Sequence, residues 1–435
     1  MTDEIGDWRR TGFSSDIEPG QDVVLMGWVH EVRLLGKINF FLLRDRDGLI
    51  QITAKKEEAP AEVTDTIKKL GREFVVAVKG KVVESKIAKM GKEVIPEEIR
   101  ILNPAKKQLP LDVTGITPAE LDTRLNARVV DLRRPEVLSI FKIRDQVFTS
   151  AREYLEGEGF IEVHTPKIIK AGAEGGATLF PISYFDQQAY LSQSPQLYKE
   201  ILTSCFDRVY EISPFFRAEP SDTVRHISEF TGIDAELAFG NEEDAMKELE
   251  NMFYYIVSHV KKECADCLEQ LGKEINIPKP PYKRVTYDDA LKLLEKDGRK
   301  IEWGEDIDRE SETILGEKMK DPFFITGYPT EDKPFYIMPD PDRPEVSKSF
   351  DFDYGGIELS SGGMRVHDRK MLIENLKKKG QDPKDFEHHL NAFEWGMPPH
   401  AGWGVGGDRL VMVLTGVSNV RECIAFPRDM KRLVP

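Results

Sequence analysis

Between residues 21 and 104 the apolar residues come in short runs, broken by charges and turn signals. Asp22–Val29 is rich in strand formers, although its alternation is poor. Phe40–Thr53 predicts a hairpin that turns at Asp47-Gly48. Glu73–Gly80 and Glu93–Leu102 predict two more strands, and Val63–Leu70 a short helix. About five strands and one helix in so short a stretch fit a small closed barrel of the OB type. Residues 103–135 are rich in Pro and polar residues and read as a linker or hinge on the surface. At Pro135 the texture changes. Val137, Ile140, Phe141, Ile143, Val147 and Tyr154 fall at helical spacing, and Phe160–Pro166 predicts the strand that follows. Further strands are predicted near 189–192, 208–217, 228–239, 323–327, 348–360 and 403–406. Helices are predicted near 195–203, 242–272, 287–295, 367–379, 385–394 and 408–414. No βαβ rhythm runs through them, so an α+β domain on a largely antiparallel sheet is expected. The expected boundaries are 1–104 for the barrel, 105–135 for the linker and 136–435 for the second domain.

A chain of 435 residues has room for two or three domains. No stretch holds the roughly 18 consecutive apolar residues of a membrane helix, so no membrane partner is expected. The acidic start, Met-Thr-Asp-Glu, lacks the marks of a secretory leader, and the expected compartment is the cytoplasm. The formal net charge of -15 argues against a general nucleic-acid coat. Charge is uneven, however. Residues 1–110 hold 19 Lys and Arg against 18 Asp and Glu, so the excess acid lies in the rest of the chain. A polyanion would dock more readily on the N-terminal portion. Of the four cysteines, Cys264 and Cys267 have CxxC spacing, but no second pair follows, and ordinary helical thiols are expected rather than a metal site.

The common nucleotide signatures, G-x-x-x-x-G-K-[ST] and G-x-G-x-x-G after a strand, are absent. Bound ATP would therefore be held by side chains. Residues 217–236 offer the means. Arg217 and Arg225 flank the mouth of a predicted hairpin, and guanidinium groups grip phosphate bidentately. Phe230 offers a stacking face for a base.

This block resembles motif 2 of the class II aminoacyl-tRNA synthetases. Gly402–Met412, with Arg409, resembles motif 3, and the helix and strand ending at Pro166 resemble motif 1. With an OB domain in front, the whole chain looks like the archaeal-type aspartyl-tRNA synthetases. Glu174-Gly-Gly, Gln193–Lys199, Lys333–Tyr336, Phe350-Asp351, Glu358–Arg365 and Gly396–Gly402 all match that family. Met364 departs from it, where a Gln is frequent.

The resemblance implies activation of L-aspartate with ATP and Mg²⁺, then transfer to tRNA(Asp). It places Arg217 between the substrate carboxylate and the α-phosphate, and Arg409 at the γ-phosphate; these are the two catalytic arginines. Ala218, Glu219 and Phe230 fall at the adenine, and Arg225, His226 and Ile227 near the β- and γ-phosphates. Gly406, Gly407 and Asp408 complete the ATP site with Glu358. Asp351, Glu358 and Ser361 match the magnesium site. Lys199 and Arg365 match the two cations that take the substrate's side-chain carboxylate, with Ser361 nearby, and an amide would leave those cations unpaired. Glu174, Gln196 and Asp234 would surround the α-ammonium. His400 reads equally as a substrate neighbour or a packed histidine; His388 and His389 read as surface or packing residues. In the barrel, Arg33, Phe40 and Gln51 match the positions that grip the central anticodon uridine. At the positions that set tRNA choice, His30 resembles relaxed enzymes, which also charge tRNA(Asn), and Lys89 resembles strict ones. The balance leans to the relaxed form, which would need an Asp-tRNA amidotransferase downstream. Motif 1 implies a homodimer. An asparaginyl enzyme is the nearest alternative, but Lys199 argues against it. A non-catalytic paralogue that binds RNA would have lost Arg217, Arg409 or Glu358, and all three are present.

Overall fold

The computed structural model describes residues 2–88, 90–170, 179–218, 220 and 223–435. The chain divides into two compact units, Met1–Pro135 and Glu136–Pro435. Glu174, Glu219 and Lys89 lie outside the described residues.

The first unit is a closed five-stranded barrel: β1 (Asp22–Leu35), β2 (Ile38–Arg44), β3 (Leu49–Lys55), β4 (Val75–Glu84) and β5 (Lys92–Asn103), with α1 (Ala61–Lys69) between β3 and β4. The order around the barrel is β1-β2-β3-β5-β4. Alternate residues of each strand turn inward, and Val29, Phe41, Leu43, Ile52, Val76 and Val94 fill the interior. Closure removes free sheet edges. A register shift between Val29 and Glu31 makes His30 the extra residue of a β-bulge in β1. The segment read as a linker carries two short helices, α2 (Leu121–Asn126) and α3 (Arg128–Asp131). Arg124 and Arg128 both bind the fully buried Asp131 carboxylate, at 2.9 and 2.6 Å. Three residues' spacing lets Arg128 and Asp131 meet on one helix face.

In the second unit α4 (Pro135–Gly157) opens with Pro at its first position, where the missing N–H costs nothing. Its stripe Ile140, Ile143, Val147, Ala151 and Leu155 packs into the main core. β6 (Ile161–Glu162) follows, then a small sheet of β7 (Ile168–Ile169), β8 (Pro181–Tyr184) and β9 (Gln187–Leu191). α5 (Gln196–Phe206) leads into the hairpin β10 (Arg208–Phe216) and β11 (Glu229–Ala238). α6 (Glu242–Glu263) starts at a capping box in which Asn241 accepts from the Glu243 and Asp244 N–H groups. The helix expected to continue to 272 stops at Cys264, and α7 (Ala265–Gln270) resumes it. β12 (Lys283–Thr286), α8 (Tyr287–Lys296), α9 (Arg309–Met319) and β13 (Phe323–Thr326) come next. The single strand expected at 348–360 is a hairpin, β14 (Ser349–Asp353) and β15 (Glu358–Met364), because Gly355 and Gly356 both take positive φ and turn the chain. α10 (Arg369–Lys378), α11 (Glu387–Glu394), β16 (His400–Gly406) and α12 (Gly407–Thr415) complete the unit.

The main sheet has eight strands in the order β12-β13-β14-β15-β16-β11-β10-β6. All its pairings are antiparallel except β12 with β13 and β10 with β6. One face packs on α4, α6 and α12 through Ile233, Ala235, Leu237 and Val405. The opposite face of the central strands carries the polar residues, and the site lies there.

Candidate active site

Period-two alternation explains the site's core. On β11, Ile233, Ala235 and Leu237 enter the hydrophobic core, which leaves Phe230, Gly232, Asp234 and Glu236 on the other face. Phe215 on β10 stands opposite Phe230, with ring centroids 6.3 Å apart. A cavity of about 250 Å³ opens above this face. Of the residues expected at ATP, Arg217, Arg225, His226, Ile227, Phe230, Glu358, Gly406, Asp408 and Arg409 line it; of those expected at the amino acid, Gln196, Asp234, Ser361 and Arg365 do so. Ala218, Gly407, Lys199 and Asp351 are not among its wall residues.

The phosphate end is rich in arginine. The exposed Arg217 places its guanidinium 5.0 Å from the Phe230 ring centroid. Arg409, at the start of α12, donates to the Glu358 carbonyl at 3.3 Å. Arg225 spends Nη1 on Glu312 at 2.6 Å and Nη2 on the Gly356 carbonyl at 3.0 Å. Glu312, on α9, was not singled out in the sequence; an acid on an unremarkable polar helix gives no local signal. His226 Nδ1 lies 2.6 Å from the Thr223 hydroxyl. Asp408, in the cavity wall, also anchors the structure: one oxygen takes Arg144 of α4, and the other accepts the Thr231 N–H at 2.7 Å. Burial pushes its carboxyl up against the Arg144 charge.

Acids gather beside these arginines. Burial raises Glu358, but Arg409, the Ser361 hydroxyl at 2.6 Å, Lys333 and Arg217 outweigh it and hold the carboxyl below its ordinary range. Asp351 moves the other way, pushed up by burial and by the Glu358 charge although Lys333 donates to it at 3.0 Å. Among the described residues no three His, Cys, Asp or Glu side chains gather tightly enough to hold a metal unaided.

The amino-acid end is a buried charge lattice. Lys199 on α5 donates to Asp234 at 3.0 Å and to the Trp403 carbonyl at 2.9 Å, and lies 3.4 Å from Glu236. Arg365, just beyond β15, grips Glu236 through Nε and Nη2 at 2.7 and 3.3 Å. The two cations expected to take the substrate's side-chain carboxylate are therefore each paired from the protein side as well. A charge so deeply buried must be paired or lost, and the sequence does not show which acid β11 turns towards it. Burial still raises Asp234, with Lys199 opposing. The glycine run of β16 belongs to the same device. A Cβ at Gly402 would sit 2.2 Å from Glu236 Oε2 and 2.3 Å from the Ala235 carbonyl, so only glycine lets the strand pass the carboxylate. His389 and His400 are both buried, against Glu200 of α5. Sequence reasoning took His389 for a surface or packing residue and did not name Glu200.

In the barrel, strand register puts Arg33, Phe40, Thr53 and Gln51 on one face, since Arg33 pairs with Phe40 and Phe40 with Thr53. Arg33 is exposed, bound to Glu31 at 3.1 Å and 5.9 Å from the Phe40 centroid. Gln51 donates to Thr53 and to Glu93. His30 is only 6% exposed. Its Nδ1 lies 3.4 Å from Arg44, which forms a bidentate pair with Glu73 at 2.6 and 2.7 Å. Guanidinium only donates, so Nδ1 accepts, and burial with the Arg44 charge keeps the ring neutral.

Comparison with known proteins identifies the family. Residues 120–430 match the family described as tRNA synthetases class II (D, K and N), and residues 23–102 the OB-fold nucleic acid binding domain. The Aspartate--tRNA(Asp/Asn) ligase of Methanothermobacter thermautotrophicus is 51% identical, over 99% of this chain and 100% of its own. The Aspartate--tRNA(Asp) ligase of Pyrococcus abyssi is 49% identical, over 98% and 100%. Among solved structures, the asparaginyl-tRNA synthetase of Pyrococcus horikoshii complexed with asparaginyl-adenylate superimposes with a TM-score of 0.93 at 33% identity, covering 98% of this chain and 100% of that one. The chain belongs to the class II tRNA synthetases of the D, K and N group.

Proposed function

We propose that the chain activates L-aspartate with ATP and transfers the aspartyl group to tRNA(Asp), and also to tRNA(Asn). The buried pairing of Lys199 and Arg365 with Asp234 and Glu236, which reaches the cavity of Arg217 and Arg409 through Asp234 and Arg365, carries the reading. An α-carboxylate oxygen attacks the α-phosphorus of ATP and pyrophosphate leaves; a terminal ribose hydroxyl of tRNA then attacks the adenylate carbonyl and AMP leaves. Both partners of the first step are anions. The site must neutralise charge and hold the line of attack, and no protein acid or base is required. Arg217 would bridge the carboxylate and α-phosphate, Arg409 the γ-phosphate, and Phe230 would stack on adenine.

Asp351, Glu358 and Ser361 offer hard oxygen donors, and the mutual repulsion of the two carboxylates is what a dication relieves. Mg²⁺ bound there would neutralise the phosphate oxygens. Lys199 and Arg365 favour a substrate carboxylate over an amide, despite the likeness to an asparaginyl structure. Their acids hold the two cations in place, so an incoming carboxylate meets oriented donors.

The barrel face formed by Arg33, Phe40 and Gln51 would take the central anticodon uridine by stacking and edge hydrogen bonds. Curated relatives of both tRNA(Asp/Asn) and tRNA(Asp) kinds match the chain at 47–51% identity, so identity does not decide between them. The His30 ring, buried against Arg44 beside the bulge, supports the relaxed form, because it presents no bulky side chain to the third anticodon base there. Comparing kcat/KM for the two transcripts tests this. A preference above about a hundredfold for tRNA(Asp), near 2.7 kcal/mol, rejects relaxed recognition. A homodimer is proposed as well. α4 buries one stripe in its own core, and β6, the sheet's edge strand, leaves Ile161 46% exposed for an isologous partner. Light scattering that finds a fully active species at the chain mass of 49.6 kDa removes this proposal.

A further inference from the structure

Behind the amino-acid end of the cavity lies a buried cluster that the reaction as described does not use. Glu200 is fully buried on α5, one helical turn after Gln196. Gln196 Nε2 lies 2.6 Å from Glu200 Oε1. On the other side, Glu200 Oε2 faces His400 Nε2 at 3.5 Å and His389 Nε2 at 3.7 Å. Each ring has its Nδ1 against a backbone carbonyl, Pro398 at 2.8 Å for His400 and Leu197 at 3.0 Å for His389. A carbonyl only accepts, so each Nδ1 carries its hydrogen. Two neutral rings would then aim both Nε2 lone pairs at a carboxylate oxygen. One further proton, held between Oε2 and an Nε2, removes that conflict. Wherever along this contact the proton sits, Oε1 remains a pure acceptor.

An acceptor at Oε1 decides which way the Gln196 amide faces. Its NH₂ must turn inward to Glu200, and its carbonyl oxygen is left for the cavity that Gln196 lines. We propose that Glu200 is a positioning residue for the substrate: it locks the Gln196 amide so that Oε1 accepts from the α-ammonium of the amino acid. This rests on the aspartate-activating reading above. A rotated amide would present NH₂ to an ammonium group, donor against donor. His400 and His389 face Glu200 in turn, and with the Arg365 charge they outweigh the cost of burial and hold the carboxyl below its ordinary range.

Two substitutions separate orientation from bulk. Glu200→Met keeps the length and removes the acceptor. Glu200→Gln can offer its own carbonyl to Gln196 and its NH₂ to a neutral imidazole, and so preserves the lock. In aspartate-dependent ATP–pyrophosphate exchange, Glu200→Met should raise the KM for aspartate about ten- to hundredfold, the range for a hydrogen bond to a charged group. Its KM for ATP should stay within about twofold, and Glu200→Gln should stay near wild type in both. Succinate, which is aspartate without the amino group, supplies the readout that a collapsed pocket would move: its inhibition constant should be the same in all three proteins. Equal weakening of aspartate and succinate, or no change in aspartate KM, overturns the proposal. Should Glu200→Met fail to fold, Glu200→Ala is read by the same ratio. Gln196→Ala separates the layers. If it weakens aspartate and Glu200→Met does not, the orientation claim alone falls. If wild type gives no exchange with aspartate, the functional reading itself falls.

Discussion

Replacing Arg217 with Ala should leave the fold nearly untouched and remove most of the activation chemistry. The side chain is exposed at the cavity mouth, and its guanidinium lies over Phe230 at 5.0 Å. A cation–π contact at so wet a site is worth about 0.5–1 kcal/mol. The backbone hydrogen bond from the Arg217 N–H to the Ser228 carbonyl, at 3.0 Å, survives truncation. The midpoint of thermal unfolding should therefore fall by no more than about 4 °C. The transition state loses much more, because a bidentate cation between two approaching anions is worth more there than in either ground state. Loss of one such preorganised donor costs about 2.7–4 kcal/mol, or a hundred- to a thousandfold in kcat. Arg217→Lys keeps the charge without the fork and should recover only part of it. Aspartate-dependent exchange, read beside a melting curve, separates the two effects. Near-normal kcat in Arg217→Ala refutes the role given to this arginine.

Other consequences follow from the buried charges. Lys199→Met should abolish useful aspartate binding and also destabilise the protein by about 3–5 kcal/mol, since Asp234 loses its partner; denaturant titration reads the second effect. Gly402→Ala drives a methyl group into Glu236 and the Ala235 carbonyl, so its melting point should drop by the equivalent of at least about 1–3 kcal/mol. In the barrel, burial raises Glu73 but Arg44 and Arg133 more than offset it, and the folded carboxyl titrates below its unfolded value. Its stabilising effect is thus complete above the unfolded pKa of about 4.3 and is lost as pH falls through the lower folded value. The stability gap between wild type and Glu73→Gln should be full at pH 7 and shrink below about pH 4; a gap that is constant with pH contradicts this.

The barrel strands were legible as short runs of strand formers between turn signals, and the antiparallel character of the second domain from the absence of a βαβ rhythm. The hairpin at 348–360 was read as one strand because apolar and polar residues alternate on both sides of Gly355-Gly356, although that Gly-Gly pair is a turn signal and both residues take positive φ. α9 escaped because its exposed face is polar and few of its residues are buried. At the site, Arg217, Phe230, Glu358 and Arg409 were named through the resemblance to the class II synthetases, and the fold brings them to one cavity. Glu236, Glu200 and Glu312 were missed for a common reason. A buried acid is betrayed by its partners, and Arg365, His400 and Arg225 lie 129, 200 and 87 positions away. The surroundings of His30 were equally hidden. The structure buries its ring against Arg44 beside a one-residue bulge, and nothing in the local pattern announces a bulge.

The central claim is that the Lys199–Asp234–Glu236–Arg365 lattice selects a side-chain carboxylate for activation. The most direct measurement is ATP–pyrophosphate exchange by the purified chain with Mg²⁺, titrated separately with L-aspartate and L-asparagine. The account predicts exchange with aspartate and a kcat/KM for asparagine lower by at least about a hundredfold, near 2.7 kcal/mol. Equal use of the two amino acids, or a preference for asparagine, would contradict it.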